Sequence, residues 1–118
     1  MRPVTIDLQS NPNLQFRIDC FSVPGASRPE FEAAMRRNLA FLETLPGFLG
    51  HVVYERTNAA STFDIITIAV WQSPEAIEAA GEKVRAHYQS IGFEMPSMLA
   101  RWGVKAALGY YRAPSSLQ

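Results

Sequence analysis

The stretch "STFDIITIAVWQSPEAIEAA", residues 61–80, decides how the chain is read. Its first half, Thr62 to Trp71, is rich in β-branched and aromatic residues and predicts a strand. That strand does not alternate apolar with polar. Phe63, Ile65, Ala69 and Trp71 leave one face and Ile66, Ile68 and Val70 the other, because successive side chains point to opposite sides. Its second half predicts a helix: Ser73 is a cap, Pro74 suits the first helical position, and Glu75 complements the helix dipole. Ile77, Ala80, Val84, Tyr88 and Ile91 then recur at helical spacing.

Working outward, "QFRIDCFSV" (15–23) predicts the first strand, after a strand-like run "VTIDL" and the turn chemistry of "QSNPN". Residues 1–14 are therefore expected to be an arm or an added edge strand. Ser27 and Glu30 have capping-box spacing, with Pro29 in the first turn of a helix expected from Pro29 to Leu45. Phe31, Ala34, Met35, Leu42 and Leu45 form its buried face, and Pro46 and Gly47 end it. "FLGHVVYERT" is a second strand and "NAAS" a turn. "SIGFEMPSMLARWG" is an apolar connection with a short helix after Pro96. "VKAALGYYR" (104–112) is the last strand, and 113–118 is expected to be a mobile tail.

The order is βαββαβ, the pattern of an α+β, ferredoxin-like domain over residues 15–112, with one antiparallel sheet and two helices on one face. Two helices cover one face only, yet the third strand is apolar on both, and Leu49, Val52, Val53 and Tyr54 make the second strand similar. The expected solution is a homodimer packed sheet to sheet, burying roughly 1,600 Å².

The chain has 118 residues, enough for one domain with one core. Eleven basic and eleven acidic residues give no net charge, so nothing points to nucleic acid or an anionic membrane as partner. Cys20 is the sole cysteine, which excludes an internal disulfide. No apolar run approaches a membrane span, and the start lacks the apolar core of a signal peptide. The chain reads as a soluble, cytoplasmic protein.

The segments "RPEFEAAMRRNLAFLETLPGFLGH" and "TFDIITIAVWQSPEAIEAA" resemble the antibiotic biosynthesis monooxygenase family, above all in "LPGF" and "VWQSPEAI". The resemblance spans about residues 15–112. It implies a dimeric α+β barrel with a pocket between sheet and helices in each subunit. It also implies oxidation of a small aromatic, quinol- or anthrone-like substrate by molecular oxygen with no cofactor and no metal. A non-catalytic module that binds a small molecule in the same pocket is the alternative. The haem-degrading branch uses an asparagine in the first strand and a histidine in the second helix. Here the strand has Asp19 and Cys20, and His87 comes sixteen residues after Trp71.

Three residues are the expected catalytic set. Trp71, matching the family's strand-three tryptophan, can stack on a planar substrate or simply pack the core. Asn38 falls near the centre of the stripe of Phe31, Met35 and Leu42, where a buried amide needs a partner, whether ligand, backbone or water. His87 lies on the shoulder of the second helix's stripe, where an imidazole can take a phenolic proton or turn its polar edge to water. Tyr54, His51, Met35, Trp102 and Arg101 are the expected substrate-binding residues. Arg101 and Trp102 can close over a ligand, but the preferred reading of their connection is that Met95, Met98 and Leu99 plug the open end of the core. Tyr110 and Tyr111 are adjacent and must face opposite ways. Asp64 reads as a loop-proximal charge and Cys20 as a small buried hydrophobe.

Overall fold

The structure, a computed structural model, describes residues 4–118. Its elements are β1 (Gln15–Ser22), α1 (Arg28–Leu42), β2 (Phe48–Glu55), β3 (Ile65–Trp71), α2 (Pro74–Ser90), α3 (Met95–Trp102) and β4 (Lys105–Tyr111). The four strands form one antiparallel sheet in the order β2-β3-β1-β4. This is the expected ferredoxin-like α+β arrangement, with the connection before β4 folded as an eight-residue helix.

Side-chain parity assigns the two faces. Ile65, Thr67, Ala69 and Trp71 of β3 are buried on the inner face, toward the helices. The inner core divides into two clusters. One gathers Phe21, Phe31, Ile65, Trp102 and Val104; the other gathers Leu42, Leu45, Phe48, Ala69, Trp71 and Ala80. Between them β1 pairs Asp19 with Thr67 and Arg17 with Ala69, so the centre of the covered face is polar. That interruption positions the site.

The elements begin and end for local reasons. Ser73 caps α2 as expected, its Oγ accepting the Ala76 N–H at 3.1 Å. The capping box at α1 does not form. Ser27 already has helical backbone angles within a short 3₁₀ turn, and its hydroxyl donates to the Trp102 carbonyl at 2.7 Å. Helix α1 stops at Leu42 rather than Leu45. Proline 46 disfavours helical geometry in the residue before it, and residues 42–45 tighten into turns that keep Leu45 buried. Gly47, at φ +82°, carries the chain so close to α2 that an added Cβ would stand 2.5 Å from the Ala76 Cβ. Gly103 ends α3 in the left-handed region, with the Val104 N–H bonded back to the Leu99 carbonyl at 2.8 Å.

Three further expectations need correction. Residues 4–14 carry turns and no strand, so the edge-strand reading fails for the described part of the arm; residues 1–3 lie outside it. The turn is organised by Asp7, whose carboxylate accepts from Gln9, Ser10 and the Ser10 hydroxyl, and Asn11 Nδ2 ties it to the Gln72 carbonyl. Ile91 lies just past α2 and is exposed rather than part of the buried stripe. Residues 62–64 precede β3, and Asp64 Oδ1 there accepts the Val23 N–H at 3.0 Å, a structural role. In the terminal segment, Ser115–Leu117 forms one 3₁₀ turn.

Candidate active site

Two adjoining cavities lie between the inner face and the helices. The first, about 420 Å³, is walled by Phe31, Met35 and Asn38 of α1, His87 and Tyr88 of α2, and Trp102 of α3. Its volume lies in the range of small-molecule pockets. The second, about 260 Å³, reaches the sheet, with Arg17, Asp19, His51, Trp71 and Tyr110 on its walls. Phe21, Met35, Asn38, Tyr88 and Met95 line both.

The partition carries a hydrogen bond. The Tyr88 hydroxyl donates to Asn38 Oδ1 at 2.8 Å, joining α2 to α1. Burial pushes the Tyr88 hydroxyl above its ordinary value, a rise that Arg17 opposes and Asp19 adds to, so Tyr88 remains a donor at neutral pH. Asn38 Nδ2 has no partner among the described residues, and no fully buried side-chain nitrogen or oxygen there lacks one. Its N–H groups therefore open onto accessible space.

His87 stacks face to face on Phe41, ring centroids 3.9 Å apart and planes 8° from parallel, which fixes the imidazole at the first cavity's wall. Trp102 is a fixed wall rather than a lid. Its indole N–H donates to Glu30 Oε2 at 2.9 Å, and its ring meets Phe31 edge-on. Both residues of the expected capping box are thus engaged with Trp102. Trp71, 3% exposed, packs edge-on against Phe48 and lines the second cavity, with His51 on the same face.

The structure therefore brings His87, Asn38, Met35 and Trp102 to the first cavity and Trp71 and His51 to the second, where Asn38 and Met35 also reach. Tyr54 does not join them. It pairs with Ile66 on the outer face and is 58% exposed. Arg101 is exposed on α3 and lines neither cavity. Tyr110 faces inward and Tyr111 outward, as adjacency in a strand requires.

Sequence reading missed the charged pair on β1. Arg17 Nε donates to Asp19 Oδ1 at 2.6 Å, and Nη1 donates to the Tyr110 hydroxyl at 2.7 Å. Burial raises the Asp19 carboxyl above its ordinary value, outweighing the opposing pull of Arg17 and the Gly109 N–H. Burial alone would lower Arg17, but its bond to Asp19, the charge of Asp19 and the contact with Tyr110 outweigh it and hold the guanidinium charged. The available signal was parity: Arg17 and Asp19 share a face with Phe21, the strand's buried anchor. Among the described residues, no three of His, Cys, Asp and Glu come together in a form that could hold a metal ion.

A sheet closed on one side by helices over adjoining cavities defines the class, an α+β domain with internal space between sheet and helices. The antibiotic biosynthesis monooxygenase family model matches residues 18–89, and the chain belongs to that family. Among solved structures it is similar to SnoaB, a cofactor-independent oxygenase from Streptomyces nogalater, at 26% identity. That match covers 89% of this chain and 97% of SnoaB, with a TM-score of 0.59. A protein from Shewanella loihica PV-4 shares the fold at 20% identity, covering 86% of this chain and 95% of that one, with a TM-score of 0.67. A comparison with curated proteins gives no match. No helix among the described residues is long and apolar enough to cross a membrane.

Proposed function

We propose that this protein is a cofactor-independent monooxygenase acting on a small, electron-rich aromatic of the quinol or anthrone kind. The observation that carries the reading is the first cavity itself. It is mostly apolar, holds an imidazole fixed by stacking, and presents unclaimed amide N–H groups from Asn38. The family and the likeness to SnoaB support the oxygenase class.

The chemistry needs a base and an anion stabiliser. For an anthrone, His87 takes a proton from the ring CH₂, and Asn38 Nδ2 donates to the oxygen on which the negative charge gathers. The resulting carbanion-enolate is electron-rich enough to reduce O₂ directly. Carbon–oxygen bond formation and loss of water complete the exchange: R₂CH₂ and O₂ become R₂C=O and H₂O. One oxygen atom enters the product and the other leaves as water.

The same reading makes the protein a homodimer through its outer face. That face carries Phe16, Ile18, Val52, Ile68 and Tyr111 around a groove of about 500 Å³, bordered by residues 4, 6, 112 and 113. No helix among the described residues covers it, and a second copy is the self-complementary occupant.

The test is turnover by variants. His87→Ala is expected to lower kcat by about 10²-fold or more, the usual contribution of a positioned base, with substrate binding within a few fold of wild type. Unchanged kcat in a well-folded His87→Ala protein removes His87 from the mechanism. Binding without any oxygen consumption by the wild type replaces the oxygenase with a binding module.

A further inference from the structure

The second cavity carries charge that the oxygenation chemistry does not use. A guanidinium has five N–H donors. Arg17 spends two, one on Asp19 and one on Tyr110, and the other three have no acceptor among the described residues. Since no fully buried side-chain nitrogen there lacks a partner, Arg17 Nη2 opens onto accessible space, and Arg17 borders the cavity. Asp19 and the Tyr110 ring, 4.7 Å from the guanidinium carbon, hold it in place on two sides.

The balance of charge around the two cavities points the same way. Among the described residues, Arg17, Arg37 and Arg85 line them, and Asp19 is the only carboxylate that does. The whole chain is neutral, so this cationic excess is local. Arg37 and Arg85 are exposed at the rim, whereas Arg17 is more enclosed, its side chain 28% exposed. A fixed guanidinium with free N–H groups on a cavity wall is suited to a carboxylate.

We propose that the substrate is an aromatic acid, and that Arg17 selects it by receiving its carboxylate in the second cavity. This inference rests on the oxygenase reading for the aromatic body, which occupies the first cavity; the acid reaches Arg17 past the Asn38–Tyr88 partition. Asp19 keeps Arg17 oriented, and Tyr110 fixes its other edge. Arg17 is thus a specificity residue, outside the proton-transfer step assigned to His87.

Binding tests this without turnover. The probes are 2-naphthoate and 2-naphthamide, matched in shape and differing in charge, titrated calorimetrically at pH 7 and physiological salt. Wild-type protein is expected to bind the naphthoate at least about tenfold more tightly than the amide, as a charge-assisted hydrogen bond would provide. Arg17→Gln is expected to shrink that preference to about twofold or less and leave amide affinity within about threefold. Arg85→Gln, at the rim, is expected to keep the preference. Should Arg17→Gln fold poorly because Asp19 loses its partner, the Arg17→Gln/Asp19→Asn double variant carries the same expectation.

No preference in the wild type, a preference surviving loss of Arg17, or equal loss in Arg85→Gln overturns the proposal. Neither probe has an oxidisable CH₂ or hydroxyl group, so this outcome is separate from the oxygenase question. Carboxylate selection without oxygen uptake would keep Arg17's role and reject the oxygenase. Uptake with neutral quinols and no carboxylate preference would do the reverse.

Discussion

The two faces of the sheet contrast. The inner face, covered by three helices, is interrupted at its centre by Arg17, Asp19 and Thr67. On the outer face, which no helix among the described residues covers, Phe16, Ile18, Val52 and Ile68 surround a groove bordered by residues 4 and 6, with Val70 buried at its floor. Hydrophobicity alone would assign them the other way round. Polar groups persist on a covered face where a ligand or a network satisfies them, since an unpaired one costs about 1–3 kcal/mol. Apolar groups persist on an uncovered face where another surface removes them from water. The first face is the proposed site and the second the proposed interface.

Each side of that contrast can be broken. The largest effect is expected from Trp71→Ala, which empties the inner core beside Phe48 and should cost about 3–5 kcal/mol of stability in denaturant titrations. A much smaller loss would mean that Trp71 faces a space already open. Tyr54→Asp on the outer face leaves the monomer core untouched but places a charge where the dimer seam is expected. Sedimentation equilibrium should show dissociation constants raised by about 100-fold or more, the cost of an unpaired interfacial charge being several kcal/mol. An unchanged assembly would move the interface elsewhere.

Asn38→Leu sharpens the inner side. It leaves the Tyr88 hydroxyl without its acceptor and should destabilise by about 1–3 kcal/mol. Adding Tyr88→Phe should recover most of that loss, because both polar partners are then gone. A stabilised single variant would mean that the hydrogen bond contributes nothing.

The smallest effect is a pH dependence at Asp19. Its carboxyl titrates above the ordinary 3.8 in the folded chain, so the folded state holds its proton longer than the unfolded state. Stability contributed by the protonated form is complete below pH 3.8 and is lost as pH rises through the folded value. Relative to Asp19→Asn, the wild type should therefore lose melting temperature across that window. Parallel melting curves would show that Arg17 cancels the burial of Asp19.

The fold was legible because its signals are local. Ser73-Pro74-Glu75 announces α2, Pro46-Gly47 ends the α1 segment, and the two-sided strand from Ile65 to Trp71 exposes the missing cover on the outer face. The site was legible in part. Asn38 and His87 follow from helical spacing, which places them toward the core without naming their neighbours. Tyr88 as Asn38's partner and Phe41 as His87's stacking face depend on how α1 and α2 lie together, which periodicity does not encode. Tyr54 was assigned to the pocket because strand parity needs a reference residue, and the bulge between Phe48 and Gly50 obscures it in β2. Ser27 and Glu30 had the spacing of a capping box, yet Trp102, 72 residues beyond Glu30, takes both side chains.

The central claim is that the cavity supports reaction with O₂ by means of side chains alone. It is tested most directly by oxygen uptake of purified protein, stripped of metal and flavin, with a panel of quinols and anthrones. The account predicts consumption above autoxidation, one O₂ per product formed, and its loss in His87→Ala. A folded protein that binds these compounds and consumes no oxygen contradicts it.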